Sequence, residues 1–250
     1  MPTLRQRDRV TWLKGADFPC APFLAPQTRP RRLVLLGAPG IGKGTQAELL
    51  ARKFGACQLS TGDVFRIAKR APEEEKTPAI REALEYMKAG KLVPDATVVA
   101  LVEERRPCLR CGGGFLLDGF PRTVFQAGEL DRILQQEQLT LDAVLCYDLA
   151  EAKILDRVKG RRVCAKCKIS YHLTDQPPQV AGVCDRCGGP LYQREDDRPE
   201  AVHVRMETYL HSTEPLIDHY QRQGLIVHIE CGDTPQETFA RTLTALRISG

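Results

Sequence analysis

No apolar run in the 250-residue chain approaches the ~20 residues of a membrane-spanning helix, which argues against a membrane protein of that kind. The first residues, Met1 to Arg9, are charged and lead into no apolar signal core. Export is therefore not expected, and a cytoplasmic protein is. Internal repeats and long low-complexity tracts are absent. Charge of either sign is nearly balanced: the net value is +4 and the pI near 8.5. That surplus suits anionic small molecules but is too weak to argue for nucleic acid. Aromatic residues make up only 6% of the chain, so stacking platforms for unpaired bases are scarce. What the chain does have is cysteine, ten in all. In an unexported protein these read as thiols and metal ligands rather than disulfides.

Short apolar runs alternate with helix-like patterns along most of the chain. Strands are expected at Leu33–Leu36, Cys57–Ser60, Phe115–Leu117, Ala143–Tyr147 and Leu225–Ile229. Helices are expected at Lys43–Phe54, Gly62–Lys69, Thr77–Ala89, Asp95–Arg105, Thr123–Gln138, Glu151–Val158, Glu200–Gln223 and Pro235–Leu246. Buried strands alternating with helices predict an α/β fold, a parallel sheet covered on both faces with ligands at the carboxyl ends of its strands. Residues 1–31 differ from the rest, broken by five prolines and closed by arginines, and read as an N-terminal extension that Trp12, Phe18 and Phe23 could pin to the body. Two stretches interrupt the alternation, a helical excursion at 60–93 and a Cys- and Pro-rich piece at 160–197.

The most informative segment is Gly37-Ala38-Pro39-Gly40-Ile41-Gly42-Lys43-Gly44-Thr45, between an apolar burst and a helix-compatible run. Strand, glycine-rich turn and helix form the setting of a phosphate-binding loop. Glycines let successive N–H groups turn inward, the helix start adds unpaired N–H groups and its positive dipole end, and Lys43 adds a mobile cation. Gly44 stands where many such loops carry a magnesium-binding hydroxyl, which here comes one residue later at Thr45. A nucleoside triphosphate is the expected ligand, held differently from that of the commonest GTPases.

A second anchor is Asp118-Gly119-Phe120-Pro121-Arg122-Thr123 at a strand tip. Its carboxylate is placed to hold Mg²⁺ through water, and Arg122 offers a planar fork to a phosphate. Upstream lie Ser60-Thr61-Gly62-Asp63 with Arg66, and Gly90-Lys91-Leu92-Val93-Pro94-Asp95. Taken in order, G-A-P-G-x-G-K-G-T, S-T-G-D-x-x-R, G-K-L-V-P-D and D-G-F-P-R-T-x-x-Q resemble the adenylate kinases in their long-lid bacterial form. The likeness runs from about residue 32 to 246.

The resemblance implies the P-loop nucleoside monophosphate kinase fold, a five-stranded parallel sheet with two inserts. The core would be 32–59, 94–159 and 198–250, the monophosphate-binding insert 60–93 and the lid 160–197. It implies reversible, Mg-dependent phosphoryl transfer from ATP to AMP, giving two ADP, with both inserts closing over the nucleotides and a single chain as the working unit. ATP would be held by Gly40, Ile41, Gly42, Lys43, Gly44 and Thr45, by Arg157 and Arg161, by Ser170 and Tyr171 of the lid, and by the backbone at Thr234. AMP would be held by Thr61, Arg66, Lys91, Leu92, Val93, Gly119, Phe120, Pro121, Arg122, Gln126, Arg194 and Arg205, with Gln126 reading the adenine edge. Lys43, Arg122, Arg157, Arg161, Arg194 and Arg205 would carry catalysis. Asp196 and Asp197 match an acidic pair that would bind the arginines or the ribose region.

Cys164-x2-Cys167, sixteen residues, then Cys184-x2-Cys187 predicts a closed four-thiolate site of structural type, and zinc in the lid. Disulfide pairing is the rival, as are iron and cobalt for the metal. His172 lies between the knuckles but finds no vacant ligand position. Cys108-x2-Cys111 has no second knuckle, and Cys57 and Cys146 read as core. Two other readings stay open: a kinase for UMP or CMP, or one using GTP, and a zinc-ribbon nucleic-acid binder. Against the latter, Tyr171 is the only aromatic between the knuckles.

Overall fold

The computed structural model of the chain describes residues 29–69, 71–88 and 93–248. Most of the N-terminal extension, including Trp12, Phe18 and Phe23, lies outside the described residues, as do Lys91 and Leu92. Five strands, β1 (Arg31–Leu36), β2 (Cys57–Ser60), β3 (Gly114–Asp118), β4 (Ala143–Asp148) and β8 (Ile226–Glu230), form one sheet in the order β2-β3-β1-β4-β8. Every neighbouring pair is parallel. Between β4 and β8 the chain builds a second, antiparallel sheet from β5 (Arg161–Cys164), β6 (Ser170–His172) and β7 (Leu191–Tyr192).

The central strands are apolar on both faces because both faces are covered. Val34 and Leu36 of β1, Phe115 and Leu117 of β3, and Val144 and Cys146 of β4 enter one core. Their alternates Leu33, Leu35, Leu116, Ala143, Leu145 and Tyr147 enter the other. The period of two along a strand thus distributes one sequence run between two layers. The first layer is closed by α3 (Pro78–Lys88), α4 (Asp95–Glu103), α6 (Val124–Gln136) and α9 (Pro215–Arg222). The second is closed by α1 (Lys43–Phe54), α7 (Glu151–Gly160), α8 (Pro199–Thr208) and α10 (Pro235–Ala245). Each fully buried Val, Leu or Phe contributes about 1.5–3 kcal/mol. Two further short helices are α2 (Thr61–Ala68) and α5 (Arg106–Leu109), with 3-10 turns at Glu73–Glu75 and Glu195–Asp197. Among the described residues no helix is long and apolar enough to cross a membrane.

Two expectations are corrected. Arg31, assigned to the extension, is the first residue of β1, and its N–H donates to Gly113 O at 3.0 Å. The helix expected over Glu200–Gln223 is broken. It begins at Pro199, widens into a π turn over Tyr209–Thr213, where Glu214 N–H reaches back to Tyr209 O at 2.9 Å, and restarts at Pro215. Proline has no N–H to continue the ladder, and the wider turn absorbs the interruption.

The start of β3 depends on one glycine. Gly114 has φ +89°, and a Cβ there would lie 2.0 Å from the backbone oxygen of Arg31 on the neighbouring strand. Gly114→Ala therefore combines a left-handed backbone with a backbone clash. It is expected to lower stability by roughly 2 kcal/mol or more, read from the urea midpoint. An unchanged midpoint would contradict this register between β1 and β3.

Candidate functional site

The carboxyl ends of β1, β2 and β3 open into one continuous cleft of about 850 Å³. The loop after β1 forms its floor. Gly42, φ +106°, caps α1 without a side-chain hydrogen bond, and the first turn of the helix contains no acidic residue. The helix thus turns a positive end, uncompensated by any acidic residue in its first turn, toward the cleft. Gly40 is needed for packing as well as for its angle: a Cβ would lie 2.3 Å from Val158 Cγ2 of α7. Lys43 folds back on the loop, its ammonium donating to Gly37 O (2.6 Å) and Ala38 O (2.9 Å). Burial brings its pKa down to about 8; Asp118 opposes this, while Arg122, Arg205 and Arg161 add to it.

The other motifs meet at the far side of the loop and bind one another. Gly119 O accepts from Thr61 Oγ1 at 2.8 Å and from Arg122 Nε at 2.9 Å. Asp95 holds Thr123 Oγ1 and Gln126 Nε2 with one carboxylate, both at 2.7 Å. Gln126 Oε1 accepts from the N–H of Arg122 at 2.8 Å. Both ends of the Gln126 amide are therefore engaged inside the protein, and the residue is buried. Reading a purine edge would require it to exchange one of these bonds.

Around the cleft stand Arg66, Arg122, Arg157, Arg161, Arg194 and Arg205. Arg66 pairs with Asp63 at 2.5 Å. Arg157 donates to Gly232 O (2.8 Å) and Ile41 O (3.3 Å). Arg161 grips the buried Asp197 with two N–H groups, the Nε bond at 2.8 Å. Arg205 lies 3.2 Å from Asp196, which also sits 3.8 Å from Arg66. Burial would raise the Asp196 carboxyl, but Arg205, Arg66 and Arg194 outweigh it and hold it below its usual range. Of the two roles expected for this acidic pair, the structure displays the binding of arginines. Arg194 is pushed down to about 10 by burial, then by Arg66 and Arg161. A group of cations this dense invites an anion.

Of the predicted site residues, Gly40 through Thr45, Arg66, Asp118, Gly119, Pro121, Arg122, Arg157, Arg161, Ser170, Tyr171, Arg194, Arg205 and Thr234 line the cleft. Thr61 and Gln126 are buried and outside its lining, Val93 packs against the first core, and the Phe120 side chain is buried in that core beyond the cis peptide to Pro121. Tyr171 turns its hydroxyl toward the cysteines. Sequence reasoning missed Asp63, Asp95 as the clamp of α6, and Thr213, whose hydroxyl donates to Arg122 O at 3.1 Å. Asp63 and Asp95 lay inside quoted motifs; Thr213 gave no signal.

Cys164, Cys167, Cys184 and Cys187 place all four sulfurs within 4.8 Å of one another and could hold one metal ion. Cys164 and Cys187 are 3.4 Å apart, Cys167 and Cys184 3.5 Å, close to the ~3.8 Å edge that Zn–S bonds of about 2.3 Å give a tetrahedron. None is in a disulfide. Tyr171 supports the group: its hydroxyl contacts Cys184 Sγ at 3.4 Å and accepts from Asp185 N–H at 3.0 Å. His172 stands apart, donating through Nε2 to Asp156 O (3.2 Å) and accepting at Nδ1 from Asp175 N–H (3.1 Å). Cys108 accepts from buried Arg105 at 2.8 Å. Cys146, Asp148 and His228 also come together, but the thiol is wholly buried and pushed up to about 12, first by that burial, and His228 pairs with Asp148 at 3.1 Å.

The pKa of Lys43 is lower folded than unfolded, so its charge opposes folding below about pH 8, and that penalty fades as pH rises toward 10.5. Nucleotide-free wild type should therefore gain stability relative to Lys43→Met between pH 7 and 10, measured by thermal melts of both proteins. A difference that stays flat with pH would remove the desolvated cation from the site.

The sequence pattern of the family described as adenylate kinase matches residues 35–225. The chain is 46% identical over 216 residues to the adenylate kinase of Carboxydothermus hydrogenoformans, covering 86% of this chain and 99% of that protein. It is 48% identical over 216 residues to the adenylate kinase of Acidothermus cellulolyticus, covering 86% and 98%. Against that of Streptomyces griseus it is 45% identical over 219 residues, covering 87% and 98%.

Proposed function

The chain belongs to the adenylate kinase family, and we propose from that premise that it transfers a phosphoryl group reversibly from ATP to AMP, giving two ADP. The observation that carries the reading is the convergence of the phosphate loop, Asp118 and the arginines on one cleft. In the forward direction an oxygen of the AMP phosphate attacks the γ-phosphorus of ATP, the bond from that phosphorus to the bridging oxygen breaks, and ADP leaves. The transition state is loose, with charge spread over peripheral oxygens, so positioning and cations do most of the work. No nucleophile from the protein is needed.

The loop amides and Lys43 bind the ATP phosphates, and Thr234 lies beside the donor base. Arg66 and Arg122 fix the AMP phosphate as nucleophile, with Gly119, Pro121, Val93 and Gln126 framing its base. Arg157, Arg161, Arg194 and Arg205 neutralise the charge that moves between the two nucleotides. Asp118, whose carboxylate faces the cleft beside Lys43, would hold Mg²⁺ through water. That ion, when bound, supplies further positive charge to the outer phosphates. The segments 60–93 and 160–197 are read as covers whose closure keeps water from the γ-phosphate, which it would otherwise hydrolyse. All of these groups come from one chain, consistent with a monomer as the working unit.

The four cysteines would hold zinc as a structural ion. The loops between β5 and β7 have a small apolar interior of Tyr171, Ile169 and Leu191 beside the sulfurs. The metal would replace a core there, tying both knuckles to the short sheet.

A coupled assay of ADP formation from ATP plus AMP tests the reading. Lys43→Met and Arg122→Ala should each lower kcat by about 10²-fold or more with the circular dichroism unchanged; near-normal turnover in either would discredit its role. Elemental analysis of the purified protein should find one zinc per chain. Cys184→Ser should lose the ion and lower the melting temperature. Full zinc retention in that variant would refute the four-thiolate assignment.

A further inference from the structure

Gln46, the residue after Thr45 in α1, is 3% exposed although it is polar. Its Nε2 donates to Pro235 O at 2.9 Å, joining points 189 residues apart in the chain. Its Oε1 is buried and has no hydrogen-bond partner. The buried neighbours on the same helix, Ala47, Leu50 and Ala51, fill the second core with apolar groups. An apolar side chain at 46 would pack there without stranding an oxygen, so the amide is explained by what its N–H holds.

What it holds is the turn at Asp233–Pro235, whose residues line the cleft together with Gln46. The turn is braced on its own helix: Glu237 accepts from Asp233 N–H at 2.9 Å, and Thr238 Oγ1 from Gly232 N–H at 3.0 Å. Arg157 ties Gly232 to α7 at 2.8 Å. Gln46 ties Pro235 to the helix that starts at Lys43. The distance between the phosphate site and this turn is thus set partly by one side chain. A nucleotide whose phosphates sit on the loop and whose base reaches the turn has to match that distance.

We infer that Gln46 is a positioning residue for the donor nucleotide, fixing the Thr234–Pro235 turn so that it favours an adenine base. This rests on the reading of the cleft given under Proposed function. Chemistry gives the preference its direction. Adenine presents an exocyclic amino group that donates to a backbone carbonyl, whereas guanine presents an oxygen in the same place and repels it. A turn held firmly enforces that mismatch; a turn free to shift does not.

The test uses Gln46→Met, which keeps the length and loses the amide, and Gln46→Glu, which keeps the shape and replaces the donor with an acceptor. Binding of ATP, GTP and AMP to the full-length protein is measured separately by calorimetry, alongside kcat. Both variants should weaken ATP binding about tenfold, with the glutamate variant weaker still, leave AMP binding and kcat within twofold, and narrow the ATP-over-GTP preference. ATP affinity within twofold of wild type, or equal loss for ATP and AMP, would overturn the inference. Should wild type bind ATP but transfer no phosphoryl group, the catalytic reading fails while the binding comparison still decides the role of Gln46.

Discussion

Lys43, Arg66, Arg122, Arg157, Arg161, Arg194 and Arg205 face one cleft, and holding that much like charge together constrains everything near it. Water alone does not do it, because several of these groups are partly withdrawn from solvent; Lys43 and Arg194 have lost basicity on that account. The fold supplies substitutes. Two backbone carbonyls of the loop take Lys43, those of Ile41 and Gly232 take Arg157, and Asp196 and Asp197 take Arg205 and Arg161. Each tether occupies a donor that a phosphate oxygen could use. A highly charged ligand can displace them because it offers more acceptors at once, and a weakly charged one cannot. A ligand entering the cleft therefore has to compete with acceptors that the fold itself provides.

The quoted motifs are also one object physically. Asp95, from the third, clamps Thr123 and Gln126 of the fourth, and Gly119 receives Thr61 of the second. Arg122 is consequently held at Nε, at its N–H and, through Thr213, at its carbonyl. The backbone of Arg122 is thus fixed on both sides and its guanidinium at one nitrogen, which leaves few orientations open to the side chain.

Much of this was legible in the sequence, and the reasons differ by feature. The strands of the main sheet declared themselves because burial on both faces leaves nothing but apolar runs. The phosphate loop declared itself because its glycines are required by backbone angle and by close packing, which few other sequences need. The small sheet did not, since strands of two to four residues show no period. The π turn was hidden because the helical pattern continues on both sides of Pro215, and only the missing N–H reveals the break. Gln126 looked free to meet a base; its partner Asp95 lies 31 residues away, and no local pattern announces such a bond. The same holds for Gln46 and Pro235.

Helix α7 gives the architecture a mechanical property. Val158 rests against Gly40, within the phosphate loop, and three residues later, at Arg161, the same chain becomes the first strand of the cysteine-bearing sheet. His172, on the adjoining strand, latches that sheet back onto Asp156 of the helix. The phosphate loop and the small sheet are thus both anchored on α7. A displacement of that helix would therefore shift the loop and the small sheet together.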